Sequence, residues 1–406
     1  MRFSIGVILT PLLGRLVVAS DGGALAQFAL DKILQEGRDV FGDFDESASS
    51  PSTATSEVFT HGYSRHARWM AALPDSIPLT HLNIPGTHDA ATWNYTQPTQ
   101  DSLATATRCD GITPNPARVY HCQRKSISAS LEAGIRFFDL RFALDPLDAR
   151  ISFWHGPAYL SDRATLEDVL FAFYGWLDSH PSEMVLLSLQ YESGTRVNAT
   201  SDAGVQRKLF DVLTSPVAKR YVHQSRGILT TLGDVRGKIV LFRRFDLTAL
   251  PAEFEEQMPG LHMSPTRWID NSKVGFELVY NSTIANGSAF VEDYYHPDDF
   301  NTTSGNIEAK FDAVQTHLKQ AAEGQFDHLF VTFTSGTHVE IDPPVYPDVM
   351  ALGTGGGLGA MGPPAIRGVN ARLLDLLGEM KGKRLGFVVM DFFEEPDGLI
   401  DLLLDF

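Results

Sequence analysis

From about residue 77 onward, short runs rich in β-formers alternate with longer stretches of helical periodicity. The runs are LTHLNI (79–84), IRFFDLRF (135–142), ISFWH (151–155), EMVLLSLQY (183–191), KIVLFRRF (238–245), a weaker AFVEDYY (289–295), HLFVTFT (328–334) and RLGFVVMDFF (384–393). That alternation leaves few architectures open. Many of the runs are apolar on both faces, as strands of a parallel sheet covered by helices must be. The stretch from Thr165 opens with Thr-Leu-Glu-Asp, the form of a capping box. Its Leu166, Val169, Leu170, Phe173 and Leu177 then recur at helical spacing. Further helices are expected over 205–222, 306–323 and 369–381. Eight strands alternating with helices predict an α/β chain of the (β/α)8 TIM-barrel type. An open doubly wound sheet is the alternative, but no G-x-G-x-x-G turn follows the first strand. The glycine-rich GTGGGLGAMGPP (353–364) lacks the Lys-Ser/Thr of a phosphate-binding loop and reads as a mobile loop near the last strand.

The 406 residues carry a net charge of −17. Nucleic acid is a poor partner for such a chain, because basic surface supplies most of that affinity. Steady attraction to anionic membranes is disfavoured for the same reason. The N-terminus has Arg2, an apolar run over 3–14 and small residues at 18–20 and 24–26, which resembles a secretory signal peptide over 1–26. The sequons at Asn94, Asn198, Asn281, Asn286 and Asn301 suit a secreted glycoprotein. In an oxidising compartment Cys109 and Cys122 would close one small loop, worth roughly 3 kcal/mol in the chain-entropy model. Residues 27–76 read as an N-terminal extension whose DESASSPSTATSE is a linker, and 77–406 as the catalytic domain.

Barrel enzymes gather their active sites at the C-terminal ends of the strands. Those positions hold His88 and Asp89, Asp139 and Arg141, His155, Gln190 and Glu192, Arg243 and Arg244, Asp293 and Tyr295, and Asp391. Two histidines, several carboxylates and arginines converging on one cup suit acid–base work on a phosphate ester. One imidazole can deprotonate an attacking hydroxyl while the other protonates the leaving oxygen, and a guanidinium can hold the charge growing on phosphorus.

IPGTHDAATW, LEAGIRFFDLR, FWHGP and LDSHPSEMVLLSLQYE, taken in order, resemble the X domain of phosphatidylinositol-specific phospholipase C. The similarity is to the metal-independent bacterial type and to secreted fungal phospholipase C-like phosphodiesterases. It continues through LGDVRGKIVLFRRF, FVEDYY, LFVTFTS and RLGFVVMDFF, over about 77–395. It implies a distorted (β/α)8 barrel and cleavage of phosphatidylinositol, at a membrane or micelle surface, to diacylglycerol and inositol 1,2-cyclic phosphate. By resemblance His88 is the general base on the inositol 2-hydroxyl, Asp391 orients it, His155 is the general acid and Asp89 its partner. Arg141 falls on the phosphate-stabilising arginine, with Asp139 beside it. Arg244, Asp293 and Tyr295 fall on positions that bind the sugar ring.

The calcium-dependent members carry a carboxylate where this chain has Arg141, Asn at Asp89 and Glu at Gln190. A guanidinium cannot ligate calcium but can replace its charge. The resemblance therefore implies a secreted monomer that needs no metal and no cofactor. Gln190 departs from the bacterial pattern, which has Lys there, and opens the headgroup to glycosylated anchors, lysolipids or another phosphodiester. Two other functions compete: an inactive glycoprotein that binds inositol lipids or cell-wall material, and a glycerophosphodiester phosphodiesterase. The last should show His-Arg-Gly near the first strand, where this chain has Thr-His-Asp.

Overall fold

The structure, a computed structural model, describes residues 20–43, 63–108, 113–324, 327–355 and 365–405. Eight parallel strands follow one another around a barrel: β1 (Ile84–Thr87), β2 (Phe137–Leu144), β3 (Val185–Tyr191), β4 (Ile239–Arg244), β5 (Leu261–His262), β6 (Ser288–Glu292), β7 (Leu329–Phe333) and β8 (Phe387–Met390). Chain neighbours pair in parallel, and β8 returns to pair with β1. Between β5 and β6 no ladder forms among the described residues; an antiparallel strand, Phe276–Val279, lies along β6 instead. The chain is thus the expected α/β barrel, distorted and open along one seam.

The expected eight strands were eight for a different reason. Residues Ile151–His155 form a strand, but it is the antiparallel partner of β2 in a hairpin, outside the parallel set. The parallel strand that takes its place in the count is β5, whose two residues are too short to show a period. Only the end of LTHLNI is strand: Leu79–His81 is a 3-10 turn and β1 begins at Ile84. The helix expected over 205–222 is two, Ala203–Leu213 and Pro216–Tyr221, because Ser215 and Pro216 cap and start a second helix.

Alternation along the strands sorts the core. Phe137, Leu186, Val240, Phe242, Val291, Val331, Phe387 and Val389 fill the barrel interior. Phe138, Leu140, Leu187, Leu189 and Leu241 face the helices. Helix α1 (Ser20–Phe41) docks on α2 (Leu166–Ser179), with Phe41 edge-on to Phe173 at 5.1 Å between ring centroids. The Trp93 indole N–H also donates to the Val40 carbonyl at 2.8 Å. The capping box of α2 forms as its sequence indicates: the Asp168 carboxylate accepts the Thr165 N–H at 2.9 Å. Below the barrel, Arg136 and Glu183 form a fully buried ion pair at 2.7 Å. Arg136 also donates to the carbonyls of Ala67, Leu131 and Ile135, so residue 67 of the N-terminal extension is tied to the barrel floor.

Cys122 is a buried free thiol rather than half of a bridge, its sulfur turned toward the Tyr120 carbonyl at 3.8 Å. Its expected partner Cys109, most of the 1–26 leader, the 44–62 linker and most of the glycine-rich 353–364 segment lie outside the described residues. Among the sequons, Asn94, Asn198 and Asn301 are exposed, whereas the Asn281 amide donates to the Gly227 carbonyl at 2.9 Å. Among the described residues no helix is long and apolar enough to cross a membrane.

Candidate active site

Strand register assembles the site. The β1–β8 ladder ends on the pair Thr87–Met390, so the next residues, His88 and Asp391, stand side by side. His88 Nδ1 lies 2.9 Å from Asp391 Oδ1. Across β2, β3 and β4 the register aligns Arg141 with Gln190 and Gln190 with Arg244, one tier of polar side chains at the barrel mouth. Asp139 and Ser188 pair one tier deeper, and the Ser188 hydroxyl donates to Asp139 at 2.9 Å. Arg243 points the other way, by alternation, and pairs with Glu255 at 2.8 Å outside the cup.

Pro85 and Gly86 belong to β1 itself. Gly86 is required by proximity, since a Cβ there would lie 2.9 Å from Phe137 Cβ. The bend comes at Asp89, whose left-handed backbone (φ 46°) sends its carboxylate away from His88. Asp89 Oδ2 instead lies 2.9 Å from His155 Nδ1, which also faces the Tyr120 carbonyl at 3.1 Å. The two imidazoles stand 6.4 Å apart between centroids.

Arg141 sits between the two His–Asp pairs. Its Nη2 donates to His88 Nε2 at 2.8 Å, so that nitrogen is an acceptor and His88 Nδ1 carries the proton given to Asp391. Carboxylates of Asp89, Asp139 and Glu192 lie 3.4, 3.6 and 3.7 Å from the same guanidinium. Burial pulls the Arg141 pKa down, but these charges outweigh it and the net shift is upward. Burial pushes the Asp89 pKa up, yet His155 and Arg141 more than reverse this and hold it ionised far below the usual carboxylate range. For His88 burial lowers the pKa, and the charge and hydrogen bond of Asp391 overcome that to leave it above 6.5.

The cup is a cavity of about 620 Å³ that reaches from the histidines to Arg244, Asp293 and Tyr295. Arg244 lies 3.5 Å from Asp139 and 3.9 Å from Asp293, and stacks over Trp268 at 3.7 Å. The Trp268 N–H donates to Asp293 at 2.8 Å, and the Tyr295 hydroxyl donates to Asp270 at 3.1 Å. Gln190 lines the cavity, and its Oε1 is buried with no hydrogen-bond partner among the described residues.

Of the twelve strand-end residues expected from the sequence, eleven converge here: nine line the cavity, Asp89 and Asp139 stand behind Arg141, and only Arg243 turns away to Glu255. Two contributors, Gln123 and Trp268, were not singled out in the sequence, and Glu192 was named there only as a strand-end residue. Gln123 donates to the carbonyls of His88 and Met390 at 2.6 and 2.9 Å and so stitches the β1 and β8 ends together. Glu192 accepts the Gly156 N–H at 2.7 Å and holds the turn after His155. Trp268 lies in the β5–β6 connection, where no periodic signal marks the element.

Residues 117–245 match the family model of the phosphatidylinositol-specific phospholipase C X domain. Over 278 residues the chain is 26% identical to the 1-phosphatidylinositol phosphodiesterase of Staphylococcus aureus (strain Newman), covering 66% of this chain and 74% of that one. Over 328 residues it is 27% identical to the 1-phosphatidylinositol phosphodiesterase of Listeria monocytogenes, covering 81% of each. The chain is thus similar in sequence to bacterial 1-phosphatidylinositol phosphodiesterases. The likeness extends to structure. A phosphatidylinositol-specific phospholipase C of S. aureus superposes with a TM-score of 0.61 at 22% identity, over 85% of this chain and 99% of that one. The Listeria phosphatidylinositol-specific phospholipase C gives 0.53 at 23% identity, over 84% and 97%. At such identities the superpositions establish the shared barrel.

Proposed function

We propose that this protein cleaves phosphatidylinositol-type phosphodiesters by two-histidine acid–base catalysis, releasing diacylglycerol and inositol 1,2-cyclic phosphate. The observation that carries the reading is the pair of oppositely oriented His–Asp couples flanking one guanidinium. His88, with Nε2 free of a proton, takes the proton of the inositol 2-hydroxyl. That oxygen attacks the neighbouring phosphorus within the same headgroup, so no external nucleophile has to be captured. Arg141 trades its contact with His88 for the phosphate oxygens, where it offsets the charge that grows as the bond to the lipid oxygen breaks. His155, held through Nδ1 by Asp89 and the Tyr120 carbonyl, presents Nε2 and protonates the leaving oxygen. Arg244, Asp293, Tyr295 and Gln190 receive the ring hydroxyls, with Gln190 Oε1 as an uncharged acceptor.

The catalytic step needs no metal in this reading. A calcium ion wants several oxygen ligands, and the carboxylates of Asp89, Asp139 and Glu192 are already paired with Arg141. EDTA is expected to leave the turnover of phosphatidylinositol micelles within about twofold. Loss of turnover on chelation with recovery on added calcium would remove Arg141 from its role.

The pH profile tests the His88–Asp391 couple. A general base works deprotonated, so the raised His88 pKa places the acid limb of kcat/KM at higher pH than an ordinary imidazole would. Asp391→Asn removes the charge that raises it, and the limb should move toward lower pH while the plateau falls by about 10²-fold, within the range acid–base catalysis contributes. An acid limb unmoved in this variant would assign it to another group.

Secretion, glycosylation at exposed Asn94, Asn198 and Asn301, and action as a monomer belong to the same proposal. Ile269, about half exposed between the cavity residues Trp268 and Asp270, gives the mouth one apolar contact for a lipid surface. Release of diacylglycerol from phosphatidylinositol vesicles but not from phosphatidylcholine vesicles is the expected result. Equal turnover of both would contradict an inositol-reading cup.

A further inference from the structure

Beside the cup, and outside its chemistry, His296, His338 and Glu340 each bring one ligand-type atom within 4.8 Å of the other two. His296 Nε2 lies 3.8 Å from Glu340 Oε2, and the two imidazoles are 4.5 Å apart between centroids. Zinc-type ions bind imidazole nitrogen and carboxylate oxygen at about 2.0–2.2 Å, so ligand atoms in a tetrahedral site stand roughly 3.4 Å apart. The largely exposed Glu340 side chain has the freedom to close that gap.

The surroundings prepare His338 as a ligand. Its Nδ1 lies 2.9 Å from Asn306 Oδ1. The amide orientation of Asn306 is fixed, because its Nδ2 donates to the carbonyls of Phe300 and Thr302 at 2.7 and 2.9 Å. Oδ1 must therefore be the atom that faces His338, and His338 Nδ1 must carry the proton. The neutral ring then has its lone pair on Nε2, the nitrogen left to ligate. A buried second group that fixes the tautomer of a histidine in this way is the usual support of a metal-bound imidazole. Asn306 is fully buried.

The backbone is equally constrained. The His296 N–H donates to Asn271 Oδ1 at 2.8 Å, and Asn271 Nδ2 donates to the His296 carbonyl at 2.8 Å. His338 exchanges both backbone hydrogen bonds with Val345, and the Thr337 N–H donates to the Tyr295 carbonyl at 2.8 Å. The loops after β6 and β7 are thus already in register where the two histidines meet.

We propose that His296, His338 and Glu340 form a binding site for a divalent transition-metal ion of the zinc type, with the fourth position open to solvent. The ion would clamp the loop carrying Tyr295 to the loop carrying Thr337, both of which line the cavity mouth. It would stabilise the loops without entering the acid–base step, so the proposal is independent of the catalytic reading.

The test uses the full chain, stripped with EDTA and dialysed, then titrated with Co²⁺ and with Zn²⁺. The expected result is one tight equivalent, a visible Co²⁺ spectrum of tetrahedral intensity and a rise in Tm on saturation. His296→Ala and Glu340→Gln, both at partly or largely exposed side chains, should weaken binding by roughly 100-fold and 10-fold, with unchanged circular dichroism. His338→Ala should abolish the equivalent. His88→Ala should bind as the parent does, which separates this site from the catalytic histidines. Binding that survives in His296→Ala and Glu340→Gln, binding that is lost in His88→Ala, or no tight equivalent in the parent would each overturn the proposal.

Discussion

His88→Ala should lower kcat on phosphatidylinositol by about 10⁴-fold, the upper range of what a positioned base contributes. His155→Ala should fall by a similar factor, and the double variant by little more than either alone. Groups that act as one unit lose their effect together. The structural basis is the separation of partners: His88 with Asp391 on one side, His155 with Asp89 on the other. KM should change little, because the remaining ring contacts, assigned to Arg244, Asp293, Tyr295 and Gln190, stay in place. A leaving group more acidic than diacylglycerol should restore much of the rate in His155→Ala and none in His88→Ala. Rescue of both variants, or of neither, would show that the roles of acid and base are misassigned. Steady-state rates with a natural lipid and with an aryl phosphodiester make the comparison.

Arg141→Ala should cost about 10³-fold in kcat, as the loss of a preorganised phosphate donor does. It should also destabilise the fold. Without the guanidinium, the carboxylates of Asp89, Asp139 and Glu192 face one another across a buried space. Removing one partner of such a buried set costs on the order of 3–5 kcal/mol. Thermal denaturation should therefore move down in Arg141→Ala, and its kinetics belong well below its Tm. Arg141→Lys separates the two effects. A single ammonium keeps the charge among the carboxylates but cannot hold His88 Nε2 and the phosphate in one planar fork. Its Tm should lie near the parent's while kcat stays about 10²-fold low. Full activity in Arg141→Lys would mean that charge alone suffices there.

How much of this was legible in the chain depends on what each residue needs from its neighbours. The strands carrying His88, Arg141, Gln190, Arg244 and Asp391 are apolar enough to announce themselves, and alternation then fixes which side chains enter the cup. The direction of a strand is not written in its own residues. Ile151–His155 has the composition of a barrel strand and pairs antiparallel, because the hairpin after β2 is too short for a parallel crossover. Leu261–His262 has too few residues to show a period, although it completes the parallel set. The split of jobs between adjacent His88 and Asp89 depends on a left-handed backbone at Asp89, which a non-glycine residue does not advertise. Gln123 and Trp268 act through contacts with strands far along the chain, so local pattern had nothing to offer for either. For Cys122 the pairing expected from two cysteines reaches no further than its own site, where burial beside Asp391 and Asp89 pushes the thiol well above its usual range, because Cys109 lies outside the described residues.

The same residues separate catalysis from mere binding of an inositol lipid. A binding protein would need the ring contacts of Arg244, Asp293 and Tyr295, but not two imidazoles aligned on opposite sides of one arginine. Phosphorus NMR of the full chain with phosphatidylinositol micelles reads the difference directly. The account predicts that the lipid phosphodiester signal is replaced first by that of the five-membered cyclic phosphate, with no such conversion in His88→Ala. An unchanged lipid signal, or inositol 1-phosphate appearing with no cyclic species before it, would contradict it.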